Sequence, residues 1–183
     1  MYKINWKFDN TYSKLSETFR EFVKPTPVHN PEIVIFNHKL AQEINLDFSK
    51  ISNIELSKIF SGNSLPQESK TLAQAYAGHQ FGHFTMLGDG RAVLLGEHLD
   101  NKKNRYDIQY KGSGRTSFSR GGDGRAALGP MLREYLISEA VHSLNIPTTR
   151  SLAVVKTGEK VVRENLLDGA ILTRVASSHI RVG

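Results

Sequence analysis

The residues best suited to chemistry are basic and lie among glycines in the middle of the chain. Residues 102–125 include seven lysines and arginines but only two acids, Asp107 and Asp123. Lys111 is followed directly by the glycine-rich run GSGRTSFSRGGDGR. Arginine side chains and exposed backbone N–H groups both bind phosphate oxygens. We therefore predict a phosphate-binding cradle in this region. Its arginines are Arg91, Arg115, Arg120 and Arg125.

The elements around Lys111 are predicted to be strands followed by one long helix. Residues 85–97 are typical of two strands in a hairpin, because the Gly-Asp-Gly of residues 88–90 contains a favoured hairpin turn. Residues 105–110 predict a third strand that ends at Lys111. A helix opens near Leu128 with Pro130 in its first turn, and an apolar stripe runs along it. The stripe consists of Leu132, Leu136, Ala140 and Leu144. Residues 150–163 then predict a hairpin that turns at residues 157–159, and residues 170–176 a last strand.

This order of elements is that of a protein-kinase N-lobe, where a strand lysine holds nucleotide phosphates and a helix glutamate orients it. Two glutamates of the helix, Glu134 and Glu139, are candidates for pairing with Lys111. They lie about 140° apart around a helix, so both cannot face one lysine. Glu134 is favoured, because it is nearer the helix start and shares a stripe with Ile137 and Val141.

The predicted fold class is therefore α+β, with a kinase-like N-lobe of antiparallel sheet and one long helix in residues 71–183. Residues 1–70 are predicted to form a mainly helical N-terminal extension. Its helices are expected over residues 12–22, 39–44 and 52–60, with a short strand at 33–36. Gly62 is expected to end the last helix. No C-lobe is expected in this chain.

Composition excludes several classes of protein. The sequence has no run of about 18 apolar residues, so we expect no membrane span. It has no cysteines, which excludes disulfides and thiolate metal sites in this chain. The N-terminus lacks the apolar region of a secretory signal, and a cytoplasmic location is expected. The net charge of +6 suits an anionic partner.

Rival interpretations of the sequence have weaker support. His79 and His83 have the spacing that binds zinc on a helix, but Gly78 and Gly82 weaken a helix there and no third ligand is evident. Neither a Rossmann fingerprint nor a P-loop is present. The glycine-rich run after Lys111 could also belong to a basic nucleic-acid-binding module. It has only Phe118 for stacking on bases, however, whereas single-strand binders usually have several aromatic residues.

Six segments together resemble the SelO family, also called YdiU or UPF0061. They are AYAGHQFGHF (75–84), LGDGRA (87–92), KGSGRT (111–116), SRGGDGRAALGPMLREYLISEA (119–140), IPTTRSLAVV (146–155) and LTRVASSHIRVG (172–183). The resemblance covers residues 72–183 densely, and residues 1–70 are similar only in character. These segments are far more specific than any single short motif.

The resemblance implies a pseudokinase-like enzyme that binds ATP in a flipped orientation and transfers AMP to Ser, Thr or Tyr hydroxyls of other proteins. The family's nucleotide contacts then fall on Gly88, Gly90, Arg91, Lys111, Asp123, Gly124, Arg174 and Arg181, with Glu134 at the position that orients the lysine. ATP and magnesium are the implied cofactors, and protein substrates are the implied partners.

The resemblance also limits the expected activity. The catalytic base and the magnesium ligands of the family belong to a C-lobe that would lie beyond Gly183, so no catalytic residue and no metal ligand is assigned here. We expect this chain alone to bind ATP weakly and to be inactive. A fragment of an ordinary protein kinase and a nucleic-acid-binding module remain the alternative functions.

Overall fold

The computed structural model describes residues 4–180, and these form an α+β fold built on a large antiparallel sheet. This confirms the predicted class of the fold. The strands are β1 (Arg20–Phe22), β2 (Glu32–Phe36), β3 (Leu72–Gln80), β4 (His83–Gly88), β5 (Ala92–Leu99), β6 (Arg105–Lys111), β7 (Ala126–Ala127), β8 (Arg150–Val162) and β9 (Leu166–Ala176). The α-helices are α1 (His38–Glu43), α2 (Asn53–Phe60) and α3 (Leu128–Ser143).

The sheet carries helices on both faces. Its strand order is β1-β3-β5-β6-β9-β8-β2, with β4 also paired to β3 and β7 to β9. Because successive side chains of a strand point to opposite faces, Ile171 and Leu172 of β9 belong to different cores. Ile171 packs with the buried residues of α1 and α2, whereas Leu172 packs with Met131 and Tyr135 of α3.

The N-terminal residues add strands to the sheet, and they are only partly helical. The predicted strand at 33–36 and helices at 39–44 and 52–60 are confirmed within one or two residues at each end. A reciprocal capping box between Ser52 and Glu55 starts α2, and Gly62 follows its end with φ +81°. Strands β1 and β2 pair with β3 and β8 respectively. A domain boundary near residue 70 stays a prediction.

The predicted helix over residues 12–22 is wrong. The segment forms two short 3₁₀ turns followed by strand β1. The Thr11 hydroxyl and the Tyr12 N–H donate to the carboxylate of Glu97 at 2.6 and 2.7 Å, which fastens the segment to β5. Pairing with β3 then replaces the helical hydrogen bonds, and Phe19 and Phe22 stay more than half exposed. Tertiary contacts here override local periodicity.

Both predicted hairpin turns are also wrong. Strands β4 and β5 both run antiparallel to β3, so the chain does not reverse at residues 88–90, which we call the glycine segment. Strand β8 is likewise continuous and pairs along its length with β9, and the turn between them falls at residues 163–165. Gly158, with φ +75°, lies in a bulge of β8 where the register shifts between Lys156 and Lys160.

Helix α3 is present as predicted, but its apolar stripe is not the face that packs in the core. Leu136 and Leu144 of the predicted stripe are 64% and 71% exposed. Met131 and Tyr135 are the buried residues of the helix. The buried stripe thus has the predicted i, i+4 spacing and lies one residue earlier, a rotation of about 100°.

Candidate functional site

A cleft of about 670 Å³ opens between the glycine segment, the end of β6, Arg174 near the end of β9, and residues 112–125, which we call the basic loop. Seven of the eight predicted nucleotide contacts line this cleft. They are Gly88, Gly90, Arg91, Lys111, Asp123, Gly124 and Arg174. The eighth, Arg181, lies outside the described residues. The structure therefore brings together residues that are up to 86 positions apart in the chain, from Gly88 to Arg174.

One carboxylate binds two of the cations that line the cleft. The Lys111 ammonium donates to Glu134 Oε2 at 2.5 Å, and Arg174 Nε donates to Glu134 Oε1 at 2.6 Å. Strands β6 and β9 are neighbours in the sheet, which places both cations on the side that α3 covers. The three side chains are largely buried, with 15–27% of each exposed. This geometry pairs Glu134 with Lys111.

The electrostatics of these groups follow from their burial and mutual contact. Burial lowers the pKa of Lys111, and the positive charges of Arg174 and Arg91 lower it further, while Glu134 opposes both effects. Burial alone would raise the pKa of Glu134, but the hydrogen bond and charge of Arg174, together with those of Lys111, lower it overall. Glu134 is therefore a carboxylate at neutral pH.

Glu139, the other candidate from the sequence, serves a different part of the fold. Its carboxylate accepts hydrogen bonds from Arg150 at 2.8 and 2.9 Å, from the Ser151 N–H at 2.9 Å and from the Asn37 amide at 2.9 Å. These contacts join α3 to the start of β8 and to the N-cap of α1. Glu139 thus points away from Lys111, as the 140° separation requires.

The four arginines of the predicted cradle divide into two pairs. Arg115 donates to the carbonyls of Gly121 and Gly122, and Arg125 donates to those of Thr26 and Pro27. Arg125 also forms an ion pair with Glu159. These two arginines hold the basic loop in place, so the prediction that they contact phosphate directly is not supported by their geometry.

Arg91 and Arg120 are the two cradle arginines whose guanidinium groups make no hydrogen bond or ion pair inside residues 4–180, and both residues are exposed and line the cleft. The Arg120 guanidinium lies 5.7 Å from the centre of the Phe81 ring, a cation–π distance. Their N–H groups are available for an anion in the cleft.

Glycines let the basic loop lie directly on the glycine segment. A Cβ on Gly88 would lie 2.2 Å from the Phe118 ring. Gly124 has φ +69°, and a Cβ there would lie 2.1 Å from the backbone of Gly114. The Ser119 hydroxyl donates to the Gly90 carbonyl at 2.5 Å, which fixes the contact. These glycines are thus required by chain packing as well as by any ligand.

Asp123 is fastened by Arg163, a cleft residue that the sequence did not reveal. The guanidinium of Arg163 donates to both oxygens of Asp123, at 2.7 and 3.0 Å. That hydrogen bond is the main reason why the pKa of Asp123 is lowered. Arg163 lies in the β8–β9 turn, which the sequence placed six residues too early. A turn predicted at residues 163–165 would have identified Arg163 as a candidate residue of the cleft.

The histidine pair lies on a hairpin. His79 belongs to β3 and His83 to β4, and the tight turn between these strands contains Phe81 and Gly82. The helix that would place both imidazoles on one face is therefore absent from this segment. Nowhere in residues 4–180 do three His, Cys, Asp or Glu side chains form a group that could hold a metal. The same residues contain no helix long and apolar enough to cross a membrane.

Comparison with known proteins identifies the family. The family model described as "Protein adenylyltransferase SelO" matches residues 2–183. The chain belongs to the SelO family. This confirms the resemblance seen in the sequence and extends it through residues 2–70.

Relatives in the SelO family are closely similar over the whole chain. Proteins named "Protein nucleotidyltransferase YdiU" are 69% identical in Pelagibacter ubique (strain HTCC1062) over 180 residues and 63% identical in Anoxybacillus flavithermus (strain DSM 21510 / WK1) over 179 residues. Each match covers 98% of this chain and 37% of the relative. The chain therefore spans little more than a third of the length of these relatives.

Proposed function

We propose that the cleft binds the triphosphate of ATP, as the nucleotide side of a protein adenylyltransferase. One observation carries the proposal. Lys111, Arg174 and Arg91 converge on the cleft, and Glu134 is the carboxylate that pairs with the first two. Three positive charges and one negative charge leave an excess of two, which an anion with several charged oxygens would neutralise.

The kinase-like N-lobe is part of the same proposal. Its support is the pairing of a lysine at the end of β6 with a glutamate on α3, the arrangement by which kinases hold ATP phosphates. The glycine segment and the basic loop face this pair across the cleft. Their backbone N–H groups are suited to further phosphate oxygens.

Transfer of AMP to Ser, Thr or Tyr hydroxyls is proposed for the longer protein. The family description supports adenylyl transfer, and the names of the relatives support a protein acceptor. The chain matches about 37% of each relative, and we expect it alone to bind ATP weakly without transferring AMP. A cytoplasmic location stays a prediction.

Residues 4–180 contain no set of side chains arranged to bind magnesium. Asp89 and Asp123 line the cleft, and Glu134 pairs with its Lys111; each of these three carboxylates accepts hydrogen bonds from protein groups. Residues 4–180 contain no group of acidic or histidine side chains arranged for a metal. No step of the proposed binding is therefore assigned to magnesium held by these residues.

Calorimetric titration of the chain with ATP, AMP and adenosine tests the binding proposal. Affinity should rise with the number of phosphates, and Lys111→Met should abolish most of that gain. Lys160→Met is the matched control, because Lys160 is an ion-paired lysine of β8 that does not line the cleft. Adenosine binding as tightly as ATP would contradict the proposal.

Two further measurements separate the alternatives. A single-stranded oligonucleotide that binds more tightly than ATP, with a steep salt dependence, would favour a nucleic-acid-binding module. ATP labelled at the α- or the γ-phosphate distinguishes the two transfer reactions, since AMP transfer moves only the α label to protein and phosphoryl transfer only the γ label. We expect neither label to be transferred by this chain alone.

A further inference from the structure

A buried amide connects Arg174 to the glycine segment. Gln109 of β6 has no exposed surface, and its side chain lies between Arg174 and Asp89. Arg174 Nη1 donates to Gln109 Oε1 at 3.2 Å, and Gln109 Nε2 donates to Asp89 Oδ2 at 3.1 Å. Asp89 is itself only 5% exposed. The hydrogen bonds therefore run without interruption from the glycine segment to the Lys111–Glu134 pair.

The chemistry of the three side chains fixes their order. Arginine can only donate hydrogen bonds, and an ionised aspartate can only accept them. A group between them must accept on one side and donate on the other, which is what a primary amide does. Gln109 is therefore matched in polarity and length to this position, and its amide has a single favourable orientation.

Asp89 anchors the other end of this chain of hydrogen bonds to the backbone. Its Oδ2 also accepts from the Gln74 N–H at 3.3 Å, and its own N–H donates to the Gln74 carbonyl at 2.9 Å. The Thr116 hydroxyl donates to the Asp89 carbonyl at 2.8 Å. The glycine segment and Arg174 are thus held in one fixed relation across the cleft.

We propose that Gln109 and Asp89 are positioning residues that set the direction in which Arg174 presents its guanidinium to the ligand phosphates. Glu134 holds Nε and Gln109 holds Nη1, while Nη2 has no hydrogen-bond partner within residues 4–180. Two fixed nitrogens define the plane of a guanidinium, so the direction in which the free Nη2 donates its hydrogen bonds is also fixed. The proposal rests on the proposed ATP site and adds to it Gln109, which does not line the cleft, and Asp89, which lines it beside the glycine segment.

The first test replaces Gln109 with a side chain of similar length that makes no hydrogen bond. Gln109→Met changes no charge, so it should weaken binding of inorganic triphosphate, measured by calorimetry, only if geometry matters. We expect about a fivefold to tenfold loss, the contribution of about one ordinary hydrogen bond. In an Arg174→Lys background, which lacks Nη1, the same change should add less than about twofold. An equal loss in both backgrounds would overturn the proposal.

The second test uses a matched pair of variants at Asp89 and does not depend on the folding of the first. Asp89→Asn and Asp89→Leu remove the same charge and keep the same branched shape, but only asparagine keeps an acceptor for Gln109. We expect the asparagine variant to bind triphosphate at least fivefold more tightly than the leucine variant, with thermal unfolding checked for both. Equal affinities would overturn the proposal.

The outcomes separate this inference from the proposed function. Failure of the unmodified chain to bind triphosphate or ATP would refute the ATP site itself. Binding by the unmodified chain that is unchanged in Gln109→Met would leave the ATP site standing and refute the positioning role.

Discussion

Removing the charge of Glu134 should destabilise the empty protein and make its stability depend on an anion. Glu134 accepts two charge-assisted hydrogen bonds, from Lys111 and Arg174. In Glu134→Gln one oxygen remains as an acceptor, the NH₂ group faces a cation, and the two cations lose their shared counter-charge. A hydrogen bond to a charged group contributes about 1.5–3 kcal/mol, and partial exposure reduces the repulsion. We expect a loss of about 2–3 kcal/mol in the free energy of unfolding.

The matched control is Glu139→Gln on the same helix. Glu139 accepts hydrogen bonds from Arg150 and the Ser151 backbone, at a similar exposed fraction of the side chain. Removing the charge of Glu139 should lower the free energy of unfolding by a similar amount. The two variants are therefore distinguished by their response to an anion and not by stability alone.

The assay is urea unfolding with and without inorganic triphosphate, followed by the fluorescence of Trp6. Triphosphate oxygens can supply the negative charge that Glu134→Gln lacks, so we expect this variant to bind the anion about tenfold more tightly than the unmodified chain. Because binding to the folded state adds to stability, saturating anion should raise the free energy of unfolding of Glu134→Gln by about 1.4 kcal/mol more than that of the unmodified chain. Glu139→Gln should gain no more than the unmodified chain. An equal gain in both variants would refute the assignment of Lys111 and Arg174 as the anion site.

Three further predictions concern the same region. The pKa values of Asp123 and Glu134 are lowered in the folded protein, so these carboxylates contribute stability above about pH 4, and the contribution is lost as the pH falls through the pKa values of the folded state. Acid unfolding monitored by circular dichroism should show this loss. Unchanged stability down to about pH 3 would contradict the prediction. Gly88→Ala should cost about 1–3 kcal/mol in chemical denaturation because its Cβ overlaps the Phe118 ring, and much less when Phe118→Ala is also present. Arg163→Met should speed hydrogen exchange in the basic loop, since Asp123 loses its partner, and unaltered exchange would show that the loop is held elsewhere.

Local sequence signals predicted the elements whose determinants are themselves local. The strand that ends at Lys111 and the helix capped by Ser52 both appear as predicted, because alternation and capping act over a few residues. The helix predicted over residues 12–22 failed for the opposite reason. Glu97, 85 residues away, fastens Tyr12 and leaves the backbone to pair with β3.

The turn signals show a more specific limit of sequence reasoning. The glycine segment and Gly158 each predict a hairpin turn from sequence, but both interrupt strands that continue in one direction. A glycine indicates that the backbone leaves ordinary strand geometry, whether in a turn or in a bulge. Whether the chain then reverses depends on the partner strand, which local residues do not specify. Arg163 was missed as a result.

For the site, helix periodicity could separate Glu134 from Glu139, because both belong to one helix of known geometry. It could not find Gln109. The role of that residue depends on the register between β6 and β9, where Gln109 lies opposite Arg174. A buried glutamine in a strand is recognisable as unusual only once its two polar neighbours are known.

In the proposed site, cations that would contact the ligand differ from cations that would only attract it. Arg115 donates to backbone carbonyls, which occupy its N–H groups without cancelling its charge. It therefore still adds to the positive potential near the cleft, while Arg91 and Arg174 keep N–H groups for contact. Neutralising Arg115 should accordingly change the salt dependence of ATP association more than the bound geometry. The basic residues of the proposed site thus differ in physical role, and the hydrogen bonds of each guanidinium indicate which role it can have.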